Sequence, residues 1–286
     1  MHGLRLTELL PIYRALAART DLALLCIQEN QTDDTGSHAE VIRAALGDNF
    51  AVSCPGEASG LAVVYDKDRF SVQLELLVAL PKLARMPRIA RLWMASREPE
   101  QKYAQVLTVT PTVGRAQHAA PLREQRETTG GAQCADAPTN DGAEPFTLMN
   151  FHLDAAGSNN HRQTQLAAAA TAITARNLHE RVVACGDANI FTLTRWQHRR
   201  AYDDLLSPLA DIGAVDTDTR PTHFFARSLE PRWGQRMFRA LGRFRFDLPR
   251  RYDVICTNLE VMARGQVETL DSDHDLLWAH IALGSE

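Results

Sequence analysis

Leu4, Leu6, Leu9, Leu10, Tyr13, Leu16 and Ala17 recur at helical spacing and predict an amphipathic helix over about residues 4–18. Asp21-Leu-Ala-Leu-Leu-Cys-Ile27 then runs apolar without a break between polar ends, the pattern of a strand buried on both faces. The same pattern returns at Gly60–Tyr65, Ala104–Val109, Phe146–Phe151, Arg181–Cys185 and Tyr252–Cys256, and a last apolar run covers Leu276–Leu283. Between the fourth and fifth runs, His161–His179 is rich in Ala and Gln and lacks Gly and Pro, which predicts a helix. No internal repeat or clean linker interrupts the order, so residues 1–286 are expected to form one domain. Three segments break the pattern as insertions. Residues 81–97 mix basic and apolar side chains, 114–144 carry hardly any large apolar residue and predict a long hairpin loop, and 226–251 are dense in Arg.

Composition narrows the class without choosing a function. The chain has 286 residues, 45% hydrophobic and 23% charged, with a formal net charge of −4, which suits a globular chain and excludes overall disorder and a uniformly basic binder. Five cysteines form no CxxC pair. Cys26, Cys185 and Cys256 sit inside apolar runs and read as small buried hydrophobes of a reducing compartment. The longest apolar stretches, such as Leu22–Ile27, are too short to span a bilayer, and residues 1 onward show no leader pattern. The expected location is the cytoplasm, unless residues upstream of Met1 carry a leader.

The candidate chemistry lies where buried runs end. Gln28-Glu29-Asn30 follows the first, Asn150-Phe151-His152-Leu153-Asp154 closes the fourth, and Gly186-Asp187-Ala188-Asn189 follows the fifth. Asp253 stands within the sixth, and Ser272-Asp273-His274-Asp275 precedes the last. Each alone is weak: a Glu at a strand end is usually solvated, Gly-Asp-x-Asn is an ordinary turn, and a lone His is usually structural. Together, strand ends on one side of a sheet converge, so these groups can share one pocket. Oxygen ligands without a thiolate suit Mg²⁺ or Mn²⁺ rather than a structural zinc.

In this order, Ile27-Gln28-Glu29, Asn150-Phe-His152-Leu153, Gly186-Asp187-Ala-Asn189, Arg251-Tyr-Asp253-Val-Ile255 and Ser272-Asp273-His274 resemble the endonuclease/exonuclease/phosphatase superfamily. The resemblance runs from about residue 3 to the C-terminus, insertions aside. It implies the deoxyribonuclease-I-like fold, an α/β (α+β) four-layer α-β-β-α sandwich of two packed, mostly antiparallel sheets. It also implies metal-assisted attack of water on phosphorus. Glu29 matches the principal metal ligand, with Asp273 near the same site. Asp187 matches the group that orients and deprotonates the water, and Asn189 holds Asp187 and a phosphate oxygen. His274 matches the donor to the scissile phosphate, Asp253 the carboxylate that orients it, and His152 and Asn150 residues around the phosphate.

The chain departs from the family at its start. The family's first strand ends in an Asn of the metal site, commonly in a Tyr-Asn-Ile-His-Gly pattern before the first helix. Met1-His2-Gly3 resembles the tail of that motif, so the first strand is expected to be missing from this sequence, through a start placed one strand late. The alternative is a member that has lost the strand.

Nine arginines between Arg220 and Arg251 face only Glu230 and Asp247, a local charge of +7, with Phe224, Phe225, Trp233, Phe238, Phe244 and Phe246 interleaved. This segment reads either as a landing surface for nucleic acid or an anionic membrane, or as a solvated Arg-rich face. The leading expectation is a monomeric, Mg²⁺- or Mn²⁺-dependent phosphodiesterase acting on nucleic acid. The alternatives are a phospholipid or inositol-phosphate phosphoesterase docking on membranes, and a non-catalytic binding protein that keeps the fold.

Overall fold

The structure is a computed structural model that describes residues 10–11, 13–15, 17–18, 22–33, 36–87, 98–112, 144–190, 192, 195–222, 251–268 and 274–284. Its larger sheet has six strands in the order β10-β11-β9-β8-β7-β6. These are β6 (Phe70–Ala79), β7 (Tyr103–Pro111), β8 (Phe146–His152), β9 (Val182–Asp187), β10 (Val215–Asp216) and β11 (Asp253–Thr257). Neighbours run antiparallel except β8 and β9, which are parallel. A parallel step needs a crossover, and the Ala-rich segment supplies it as helix α2 (Asn159–Thr174), N-capped by Ser158, whose hydroxyl accepts from His161 N–H. Leu166, Ala169 and Ile173 recur on its buried face and pack on β8 and β9 together with Leu205, Leu206 and Leu209 of helix α3 (Arg195–Ala210).

The second sheet is β1 (Leu24–Gln28), β5 (Leu61–Asp66) and β4 (Phe50–Ser53), all antiparallel, in the order β1-β5-β4. One face packs on the six-stranded sheet: Val63 with Leu24 and Cys26 meets Leu107, Leu148 and Val183. The other face takes Ala39 and Ile42 of helix α1 (His38–Leu46) and Tyr13, one of the helical residues among 10–18. Two hairpins complete the order, β2 (Thr32–Asp33) with β3 (Gly36–Ser37), and β12 (Val261–Val267) with β13 (Leu276–Ile281). The layers are therefore helix, sheet, sheet, helix, the expected four-layer sandwich of mostly antiparallel strands.

Two differences from the sequence reading stand out. Strand β6 and helix α1 carry mixed apolar and polar residues rather than continuous apolar runs, and the sequence reading passed over both. Strand β1 begins at Leu24 rather than Asp21, and each of its residues is half-exposed instead of buried on both faces. Its outer edge carries no strand among the described residues, and neither does the outer edge of β13, although the two strands contribute to the same clusters. The helix over 4–18 is described only from residue 10. Of the three insertions, residues 88–97, 114–143 and 226–250 lie outside the described residues.

Candidate active site

The two parallel strands and their antiparallel neighbour bring three candidates side by side. In register, His152 of β8 is the partner of Asp187 of β9, and Asp187 is the partner of Asp253 of β11. Cross-strand partners point to one face of a sheet, so this row of side chains follows from pairing alone. His274, just ahead of β13, reaches over from the other side and its Nδ1 lies 2.8 Å from Asp253 Oδ2. Ligand atoms of Asp187, Asp253 and His274 all fall within 4.8 Å of one another.

Asp187 is held in one pose. Its Oδ1 accepts from Asn189 N–H at 2.8 Å and its Oδ2 from the Asn189 amide at 3.0 Å, while that amide also donates to Leu153 O at 3.0 Å. Asn189 achieves this with φ +49°, and Glu29, directly after β1, has φ +58°. Both are non-glycine residues in the left-handed region, a conformation that clusters at functional sites. Gly186 is required beside them: a Cβ there would lie 2.2 Å from the Phe151 carbonyl oxygen of β8.

Burial sets the protonation states. Asp187 is 8% exposed, and its carboxyl is pushed up to about 7, first by burial and further by the Asp253 and Glu29 carboxylates, against the lowering effects of His274 and the Asn189 N–H. His152 is pushed down to about 3 by burial, then by the positive charges of Lys102 and His274. Its Nε2 lies 3.7 Å from Asp187 Oδ2, but an imidazole held that low is neutral at pH 7, so the contact is not an ion pair. The positive charge of Lys102 thus reaches the site.

A divalent cation fits this donor set. Several carboxylates are gathered in a partly desolvated place where their mutual repulsion raises Asp187, and the donors are oxygens and imidazole without thiolate. Glu29 contributes to that field. Asp273, its expected companion, lies outside the described residues.

Asn150 stands apart from this row. It is fully buried between the sheets. Its amide donates to Ile27 O at 3.1 Å and Ala62 O at 3.0 Å, and its Oδ1 accepts from Gln28 Nε2 at 2.7 Å. It therefore ties β8 to the strand end that presents Glu29. Other supporting residues were missed because their signals are single polar letters. Thr222 Oγ1 accepts from the N–H groups of Tyr252 and Asp253, each at 3.0 Å. Arg162, 1% exposed, donates to Asp154 O and Ala155 O at 2.8 Å each and pins the loop after His152. Arg251, part of the Arg-rich segment in the sequence, is internal, 3% exposed, with its guanidinium 2.9 Å from Asp216 Oδ1. Arg220 pairs with Asp218.

No family model matches the chain, and no curated protein does. Solved structures do match by shape. An endonuclease/exonuclease/phosphatase from Bacteroides vulgatus superposes with a TM-score of 0.60 at 14% identity, over 99% of this chain and 92% of that one. A family protein of the same description from Leptotrichia buccalis gives 0.54 at 15%, over 99% and 95%. TDP2 of D. rerio, complexed with a single-strand DNA product, gives 0.55 at 12%, over 97% and 93%. The fold is that of the endonuclease/exonuclease/phosphatase structures, in agreement with the motif resemblance. No helix among the described residues is long and apolar enough to cross a membrane.

Proposed function

We propose that the chain is a metal-dependent phosphoesterase that hydrolyses a phosphodiester of nucleic acid with activated water. The observation that carries this reading is the Asp187–Asp253–His274 cluster, in which one buried carboxyl is raised to about 7 beside a histidine already hydrogen-bonded to a second carboxylate. A base works best with a pKa near the operating pH. Asp187, oriented by both nitrogens of Asn189, takes the proton from water as the water oxygen attacks phosphorus. The P–O ester bond opposite breaks, and the leaving oxygen takes a proton from solvent. His274, its Nδ1 side held by Asp253, presents Nε2 to a non-bridging phosphate oxygen, where a fixed donor stabilises developing charge. Neutral His152 lines the same face and adds no charge that would neutralise Asp187. Glu29, with Asp273 from the motif resemblance, would hold Mg²⁺ or Mn²⁺, which supplies positive charge against the phosphate.

Nucleic acid is favoured by two supports: the DNA product in the D. rerio TDP2 structure and the Arg- and aromatic-rich 226–251 segment. The test is a panel of plasmid and abasic DNA, RNA, bis-p-nitrophenyl phosphate, sphingomyelin and inositol phosphates with Mg²⁺ or Mn²⁺. A nucleic acid should be turned over, with Asp187→Ala and His274→Ala reducing the rate on the order of hundreds-fold or more. Turnover of lipid or inositol phosphate alone sinks the substrate assignment. Variants equal to the parent sink the catalytic one.

A further inference from the structure

The buried face of α2 changes character along its length. Leu166, Ala169 and Ile173 make it apolar, but the same face begins with Arg162 and Gln165, both buried. The two polar side chains stand at the end of the stripe nearest the loop that follows His152, and both are spent on that loop. Arg162 Nε donates to Asp154 O and Nη2 to Ala155 O, each at 2.8 Å, while Nη1 donates to Asn159 Oδ1 at 2.8 Å. Gln165 Oε1 accepts from Asp154 N–H at 3.0 Å, and its Nε2 donates to Pro81 O at 2.8 Å.

The other side of the loop holds the base. Leu153 N–H donates to Asp187 O at 2.9 Å, and Leu153 O accepts from the Asn189 amide at 3.0 Å. Of the five backbone groups of Leu153–Ala155 engaged in these bonds, two face Asp187 and Asn189 and three face Arg162 and Gln165. Asn189 needs such an anchor. Its φ of +49° persists only where the surroundings over-determine it. Its two bonds to Asp187 stay within the 187–189 turn, whereas the bond to Leu153 O ties the turn to the rest of the fold.

A guanidinium is costly material for closing a loop, because a buried charge is unfavourable unless its surroundings compensate it. None of the three bonds from Arg162 reaches a carboxylate. Burial lowers its pKa, while Tyr252, Asp154 and Asp187 raise it, so its charge is felt at the base. The planar fork also offers what a neutral side chain lacks, donors fixed on two successive carbonyls at once.

We propose that Arg162 is a positioning residue for Asp187: by gripping the carbonyls of Asp154 and Ala155 it fixes Leu153 O, which fixes the Asn189 amide, which aims the Asp187 carboxylate. Arg162 acts through Asn189 and not on the substrate. The proposal rests on the reading of Asp187 as the base that activates water.

The experiment compares the parent with Arg162→Met, which keeps an extended side chain without donors, and Arg162→Lys, which keeps the charge without the fork. Ile173→Ala serves as control, weakening the same helix face about three turns away. Hydrolysis of bis-p-nitrophenyl phosphate with Mg²⁺ or Mn²⁺ is one readout, and amide exchange in the metal-free chain is the other. Arg162→Met should lower kcat about tenfold to a hundredfold with KM within about threefold. It should also speed exchange of the Leu153 and Asn189 amides about tenfold or more relative to those of Val183 and Ala184. Arg162→Lys should fall between parent and Arg162→Met in both readouts, and it decides alone where Arg162→Met does not fold. Ile173→Ala should leave kcat within about twofold.

Unchanged exchange at Leu153 and Asn189 overturns the proposal, as does an Arg162→Lys chain equal to the parent in both readouts. So does a control that loses as much kcat as Arg162→Met, since rate would then follow stability alone. A raised KM at unchanged kcat overturns it in favour of direct substrate binding. A parent that turns over no phosphodiester refutes the base assignment by itself, and exchange at Asn189 still decides whether Arg162 holds that turn.

Discussion

Replacing Asp187 with Asn should stabilise the metal-free protein at pH 8 while removing its activity. The Asp187 carboxyl is pushed up to about 7 in the fold against an ordinary value of 3.8. A group raised in this way binds its proton more tightly folded than unfolded, so stability falls as pH rises from about 4 to 7 and the full penalty is present above 7. At 1.36 kcal/mol per pH unit, keeping Asp187 ionised at pH 8 costs about 4 kcal/mol. Asn removes that charge but turns one acceptor into a donor facing the Asn189 amide, which forfeits a hydrogen bond worth about 1 kcal/mol. The net expectation is a gain of about 3 kcal/mol at pH 8 and a loss of about 1 kcal/mol at pH 4, where Asp187 is protonated in the native state. Urea unfolding of both chains with chelator at the two pH values measures the difference. A variant whose stability change is the same at pH 4 and pH 8 would refute the assignment of burial as the cause.

Adding millimolar Mg²⁺ to the metal-free chain at pH 8 should raise its melting temperature, since an ion bound at 100 times its Kd contributes about 2.7 kcal/mol; an unchanged melting curve counts against the cation site. Gly186→Ala should cost about 1–3 kcal/mol by urea unfolding and slow turnover, because the new Cβ meets Phe151 O at 2.2 Å and displaces Asp187; wild-type stability would show that the strands separate freely there. Asn150→Ala should cost about 2–3 kcal/mol by leaving Ile27 O and Ala62 O without their donor, with turnover falling as Glu29 loosens. If Asn150→Ala instead keeps full stability and only substrate affinity falls, the residue acts at the phosphate and not between the sheets.

Most strands and the main crossover helix were legible because burial imprints itself locally. A strand covered on both faces, such as β8, is mostly apolar, and its end is the first place a solvated polar group can stand. Asn150 shows the limit of that logic. The family resemblance implies a place for it around the phosphate, while only the fold shows that its amide bonds backbone of β1 and β5, more than 80 residues away in sequence. Arg251 shows it again, counted with a basic surface in the sequence but buried against Asp216 in the fold.

The sequence by itself determined the order of the mostly apolar strands and which side chains stand near their ends, since periodicity and turn chemistry are properties of neighbouring residues. Only the tertiary structure decided what those side chains are. Asp187 is raised and His152 neutral because desolvation depends on everything packed around them. The pairing of β9 with β11, which sets Asp187 beside Asp253, likewise became visible only in three dimensions, because it joins strands far apart along the chain and no local pattern records a strand's partner.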